Sequence, residues 1–139
     1  MNILLGVIVM ILCLVLQAGL AGAAIIFYDK RRAAILAGPV TSGLIVIVGV
    51  MMLLLLGIFA QIALWAALFQ MLGEFELFEA AFYHSAVNFA TLGYGDIVMS
   101  EEHRLLGPLE AVNGVVMIGV STAVIIAALQ DALAERRDS

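Results

Sequence analysis

The sequence predicts an all-α integral membrane protein with three transmembrane helices. Hydrophobic residues make up 65% of the 139-residue chain and charged residues only 12%, which is more apolar surface than a soluble domain of this size can bury. Three stretches contain no charged residue: Met1–Tyr28, Ala33–Gly73 and Ala111–Gln130. A membrane-spanning helix needs about 20 predominantly apolar residues, so each stretch is long enough for one crossing.

Residues 1–28 are predicted to form an additional N-terminal transmembrane helix. A cleaved signal peptide is the alternative, because Ala21-Gly22-Ala23 is typical of a cleavage site. However, the segment has no basic n-region and a basic cluster follows it, so we expect the helix to be retained. It carries no series of arginines and is not a voltage sensor. We expect Cys13 to be a buried apolar thiol, and the sequence assigns the helix no function.

The basic residues predict the orientation in the membrane. Lys30, Arg31 and Arg32 lie in a predicted basic loop at 29–38, and Arg136 and Arg137 lie in a short tail at 131–139. By the positive-inside rule the loop and the tail are cytoplasmic and the N-terminus is outside. The predicted location is therefore the cell membrane (inner or plasma membrane), crossed several times, with a cytoplasmic C-terminus.

Three further helices are predicted after the basic loop. Gly38-Pro39 opens the second transmembrane helix, residues 39–72, because proline is tolerated in a first turn. A shorter helix follows over 77–90, and the last helix, over 107–130, begins at Gly107-Pro108. Acidic residues cluster before and within the first turn of the short helix, where they either complement the helix dipole or simply solvate an exposed turn: Glu74, Glu76 and Glu79.

The TLGYGD segment, Thr91–Asp96, lies between the short helix and the last helix. Closely spaced backbone carbonyls can replace the hydration shell of a monovalent cation. Aiming successive carbonyls at one axis requires some residues with φ > 0, which Gly93 and Gly95 adopt without a Cβ clash. Thr91 adds a hydroxyl oxygen, while the side chains of Leu92 and Tyr94 would point away from the axis.

This arrangement resembles the potassium-channel pore family, whose pattern is an outer helix, a pore helix, a T-x-G-Y-G-D selectivity filter and an inner helix with a glycine hinge. The likeness covers the predicted pore module, residues 39–130. It implies a re-entrant pore helix and a filter that four identical chains complete around a four-fold axis, since one chain supplies only one filter strand. It also implies potassium sites at Thr91, Leu92, Gly93 and Tyr94, with Gly95 completing the filter.

The resemblance assigns supporting roles as well. Tyr83 and His84 occupy the paired aromatic positions of the family's pore helix, and Asp96 the position whose carboxylate bonds the first of them. The Tyr83 hydroxyl is suited to that bond. Val87 stands where some bacterial members carry a buried glutamate, and Leu92 replaces the commoner valine or isoleucine.

The last helix carries the predicted hinge and cavity positions. Gly119 falls near the family's hinge, and Val120, Ala123 and Ala127 are candidates for lining the inner cavity. Small residues also allow membrane helices to pack closely, so packing is the alternative role for Gly119, as it is for Gly114.

The outer mouth is predicted to be acidic and to concentrate cations. Its acidic residues are Glu74, Glu76, Glu79, Asp96, Glu101, Glu102 and Glu110. We expect His103 to be a solvated loop residue, although a histidine there could also sense pH.

The resemblance thus implies a potassium-selective channel that conducts K⁺ passively through a homotetramer in a lipid bilayer, with no cofactor. A weakly selective Na⁺/K⁺ channel and a non-conducting regulatory subunit with a channel-like fold are the alternatives. No nucleophile–base pair, metal cluster or phosphate-binding loop is present, so we do not expect an enzyme, and nothing favours nucleic-acid binding. Only nine residues follow Gln130, so a separate regulatory subunit is possible, and the sequence does not identify one.

Overall fold

The computed structural model describes residues 2–138, which form four α-helices and, within that range, no strand. The helices are α1 (Asn2–Ala37), α2 (Val40–Met71), α3 (Phe78–Phe89) and α4 (Leu106–Asp138). Three of them are long and apolar enough to cross a membrane, over Ile3–Arg32, Thr41–Met71 and Leu106–Ala134. The predicted all-α fold with three transmembrane helices is therefore confirmed.

Two of the predicted boundaries are wrong. The basic segment predicted as a loop over 29–38 is helical up to Ala37, and the predicted tail at 131–139 continues α4 as far as Asp138. Neither segment contains glycine or proline before these ends, and alanine, lysine and arginine are good helix formers. The break between α1 and α2 falls at Gly38-Pro39, where both residues interrupt a helix.

The first of two compact units contains residues 2–15 and 58–118, with all of α3. Its core is built around Trp65, Phe69, Phe89, Leu106 and Met117. Gly6 of α1 lies against Leu106 and Leu109 of α4, and Cys13 belongs to the same core as Met117. The earlier residue of α1 contacts the earlier part of α4, and the later residue lies with the later part. α1 and α4 therefore run in the same direction within this unit.

The second unit contains residues 16–57 and 119–138. Gly57 of α2 lies against Leu20 of α1, and Gly49 lies against Phe27, so α1 and α2 are antiparallel here. A buried hydrogen bond of 2.7 Å from the Gln17 amide to the Ser121 hydroxyl joins α1 to α4. Polar bonds of this kind contribute to helix association where water is excluded.

Two glycines of α4 have different surroundings. A Cβ at Gly114 would collide with the backbone carbonyl of Phe89, the last residue of α3, whereas a Cβ at Gly119 would meet nothing within 4 Å in the described part of the chain. Gly114 therefore permits the close approach of α4 to the end of α3. A hinge role for Gly119 stays a prediction.

We expect Gly114→Ala to lower the thermal stability of the protein, because the added methyl group must push α3 away from α4. Overpacking of this kind costs about 1–3 kcal/mol. Gly119→Ala is the matched control, with the same change on the same helix and open space around it. Thermal unfolding of both variants in detergent tests this, and equal midpoints would contradict the packing role of Gly114.

Candidate functional site

The end of α3 sets the conformation of the TLGYGD segment. The amide of Thr91 donates to the Asn88 carbonyl at 2.8 Å, and the amide of Leu92 donates to the Val87 carbonyl at 2.9 Å. This pair of bonds is a Schellman motif, which requires a left-handed residue just past the helix end. Thr91 occupies that position with φ 60°, although glycine is the usual residue there.

The sign of φ alternates along the TLGYGD segment. Thr91, Gly93 and Gly95 have φ of 60°, 56° and 73°, whereas Leu92 and Tyr94 between them are not in the left-handed region. The two glycines thus adopt the conformation that the sequence predicts. The left-handed Thr91 is not predicted from the sequence; its place one residue beyond the C-cap of α3 is the signal that could have revealed it.

An alternating backbone has a chemical consequence. In a regular strand successive residues face opposite sides, whereas alternation between left- and right-handed conformations can turn successive carbonyls toward one side. The side chains of Thr91–Asp96 are exposed in the single chain. Within residues 2–138, no group of three or more His, Cys, Asp or Glu side chains could hold a metal ion.

A hydrogen bond of 2.7 Å runs from the Tyr83 hydroxyl on α3 to the Asp96 carboxylate at the end of the TLGYGD segment. The other carboxylate oxygen accepts from the Ile97 amide at 3.1 Å. The bond from Tyr83 holds the pKa of Asp96 below its usual value, and the same bond raises the pKa of the Tyr83 hydroxyl. The structure therefore brings together the two residues that the resemblance pairs.

His84 makes a second connection from α3. Its Nδ1 lies 3.0 Å from the Ile97 carbonyl and its Nε2 lies 2.9 Å from the Asn88 side-chain amide. A carbonyl can only accept, so Nδ1 carries the proton and Nε2 accepts from Asn88. Burial lowers the pKa of His84, which favours this neutral form. The rings of Phe69 and Phe75 pack on the imidazole at 5.7 and 5.1 Å between centroids.

Glu74 joins the loop before α3 to the loop after the TLGYGD segment. Its carboxylate accepts bonds from the Ser100 amide at 2.7 Å, the Ser100 hydroxyl at 2.5 Å and His103 Nδ1 at 2.5 Å. Burial alone would raise the pKa of Glu74, but the bonds from Ser100 and His103 outweigh it and lower the pKa. The expectation that His103 is a solvated residue is wrong, since only 8% of it is exposed.

Glu110 does not lie at the outer mouth, where the sequence placed it. It is fully buried and hydrogen-bonds to Ser85 of α3. α4 begins at Leu106, so Glu110 lies a full turn inside the helix on the side that faces α3. The exposed acidic residues of this region are Glu76, Glu79, Asp96, Glu101 and Glu102.

The remaining predicted positions are divided between buried and exposed sites. Val87 is buried on α3, whereas Gly119, Val120, Ala123 and Ala127 are exposed in the single chain. Ala123 and Ala127 line a cavity of about 530 Å³ in the second unit, shared with residues of α1 that include Ala24 and Ile25. Whether these four residues of α4 line a conduction path stays a prediction.

Three apolar helices of spanning length, with a short helix and an irregular segment between the last two, define a multi-pass membrane protein. The sequence model of the ion channel family matches residues 51–131, more than half of the chain, so the chain belongs to the ion channel family. The matched region includes most of α2, all of α3, the TLGYGD segment and most of α4. No curated protein and no solved structure matches the chain significantly.

The bonds to Glu74 predict a stability that falls in acid. The pKa of Glu74 in the folded protein lies below its ordinary value of 4.5, so its stabilising contribution is complete above that pH and is lost as the pH falls through the folded-state pKa. We expect Glu74→Gln to reduce the change in thermal midpoint between neutral pH and about pH 3.

Glu101→Gln, which removes an exposed carboxyl from the loop after the TLGYGD segment, is the control for this measurement. It should leave the acid-induced change in midpoint close to that of the unmodified protein. An unchanged pH profile in Glu74→Gln would show that the ionisation of Glu74 contributes nothing to stability.

Proposed function

We propose that the protein is a potassium-selective channel in which four copies of the chain surround one conduction path. The alternating φ of residues 91–95 is the observation that carries the proposal. Carbonyl oxygens of these residues would replace the hydration shell of K⁺ as the ion enters, and the Thr91 hydroxyl would add an oxygen at the inner end. Potassium is the transported ion in this proposal rather than a resident cofactor.

The strained conformation of Thr91 supports the same proposal. A left-handed conformation costs a non-glycine residue about 1–2 kcal/mol, and glycine would form the helix end without that cost. Strain of this kind persists where the surrounding structure enforces it, most often at functional sites. Glycine at position 91 would provide the backbone geometry but no side-chain oxygen. A threonine hydroxyl that contacts the ion would explain why threonine occupies this position despite the strain.

The tetramer follows from the number of filter strands. One chain supplies one strand, and a single strand cannot surround an ion. In the single chain Leu92 and Tyr94 are 55% and 66% exposed, and large side chains in a membrane channel need packing partners. Closed four-fold symmetry would supply them from neighbouring chains and complete each ring of carbonyls.

The contacts around the TLGYGD segment would then hold the filter. Tyr83 bonds to Asp96, and His84 bonds to the Ile97 carbonyl, so α3 is tied to the outer end of the segment at two adjacent residues. Exposed acidic residues of the flanking loops, such as Glu101 and Glu102, would attract cations to the entrance. The basic residues Lys30–Arg32 favour the orientation with the N-terminus outside.

The reversal potential across opposing potassium and sodium gradients tests the proposal in purified protein reconstituted into planar bilayers. We expect a value close to the potassium equilibrium potential. Robust current that reverses near zero would replace the proposal with a weakly selective cation channel. The absence of current would favour a non-conducting subunit.

A substitution at Gly95 should abolish potassium selectivity, because alanine resists the left-handed conformation by about 1–2 kcal/mol and the filter would rearrange. Gly73→Ala is the matched control, since Gly73 also has a left-handed φ, 78°, and open space around it, but lies before α3. Both variants carry the same backbone strain. Equal selectivity in Gly95→Ala and the unmodified channel would contradict the assignment of the filter.

A further inference from the structure

Three helices meet at one buried hydroxyl group in the first unit. Ser85 Oγ of α3 lies 2.8 Å from the Ile62 carbonyl of α2 and also hydrogen-bonds to Oε1 of Glu110 on α4. Ser85 and Glu110 are both fully buried, and Ile62 is 6% exposed. The contact therefore connects the short helix to both of its transmembrane neighbours in the buried interior of this unit.

Counting hydrogens limits which groups can donate. A serine hydroxyl carries one hydrogen, and a backbone carbonyl can only accept. If Ser85 donates to the Ile62 carbonyl, the bond to Glu110 requires a hydrogen on the glutamate. An ionised Glu110 could only accept, and the single hydrogen of Ser85 could then satisfy one of its two neighbours.

The surroundings of Glu110 also favour the neutral acid. Among the described residues, Ser85, Asn88 and Cys13 lie near the carboxyl group, and none of these side chains carries a positive charge. The second oxygen, Oε2, meets no hydrogen-bonding group at bonding distance within the described part of the chain, although the Asn88 side chain lies near the carboxyl group. Burying an unpaired carboxylate costs far more than burying a carboxylic acid.

We propose that Glu110 is a neutral carboxylic acid that donates to Ser85, whose hydroxyl in turn donates to the Ile62 carbonyl. We call this chain of two bonds the three-helix latch. Glu110 and Ser85 are positioning residues, because they would act through α3 rather than on the ion.

The latch has a direct route to the filter. α3 is a single short helix that carries Tyr83 and His84 next to Ser85, and these two residues bond to Asp96 and Ile97. The bonds of Ser85 to α2 and α4 hold α3 in place. Because Tyr83 and His84 of α3 bond to the outer end of the TLGYGD segment, that end is held in place as well. This step, from α3 to ion selectivity, rests on the proposed function.

Infrared spectroscopy of the reconstituted protein tests the proton on Glu110 without any need for conduction. We expect the unmodified protein at neutral pH to show the C=O stretch of a protonated carboxylic acid, and Glu110→Gln to lack that band. Glu79→Gln, which removes an exposed carboxyl, should retain it. A spectrum of the unmodified protein identical to that of Glu110→Gln in this region would overturn the proposal.

Bilayer recordings of three variants test the positioning role. Glutamine can donate to Ser85 through its amide, so Glu110→Gln should keep the selectivity of the unmodified channel. Glu110→Ala removes the donor, and Ser85→Ala removes the shared hydroxyl. In each variant, the ratio of potassium to sodium permeability should fall at least tenfold. Loss of selectivity in Glu110→Gln equal to that in Glu110→Ala would overturn the latch, even if the alanine variants fold poorly.

The two measurements separate the latch from the proposed function. A protonated Glu110 in a protein that does not select potassium would support the latch as a link between helices and remove the proposed function. Selective conduction with an ionised Glu110 would remove the latch and leave the proposed function intact.

Discussion

The structure depends most on the left-handed backbone that begins at Thr91. The helix end of α3 requires one left-handed residue, and the alternation continues through Gly93 and Gly95. Such a segment forms neither a helix nor a sheet ladder, so its backbone groups need partners other than those of regular secondary structure. A conformation of this kind persists only if the neighbouring structure holds both of its ends.

The first unit provides that support at several places. Gly114 lets α4 approach the end of α3 at Phe89, which places the start of the TLGYGD segment against a transmembrane helix. Tyr83 and His84 hold its C-terminal end. Glu74 joins the loops on either side of α3 and the segment. Each bond is individually modest, about 0.5–1.5 kcal/mol net for a neutral pair and more for charged groups, and their effect lies in acting on one short segment together.

Most of the fold could be predicted from the sequence, because the membrane requires long apolar helices and proline with glycine marks the break after α1. The helix over 77–90 and the left-handed glycines were predicted from local chemistry in the same way. The burial of Glu110 and of His103 was not, because it depends on partners far along the chain, Ser85 and Glu74. From sequence spacing alone, both residues are predicted to be solvated. Their partners become visible only when α3 packs against α4 and the loop before α3 packs against the loop after the TLGYGD segment.

The most direct test of the central claim is X-ray diffraction from crystals grown in thallium, a monovalent ion that substitutes for potassium and scatters anomalously. We expect four chains around a four-fold axis and a row of thallium peaks on that axis, level with the carbonyls of Thr91–Gly95. Peaks in that row would establish that the alternating backbone binds ions. A different symmetry, or an axis without thallium beside the TLGYGD segment, would contradict the account.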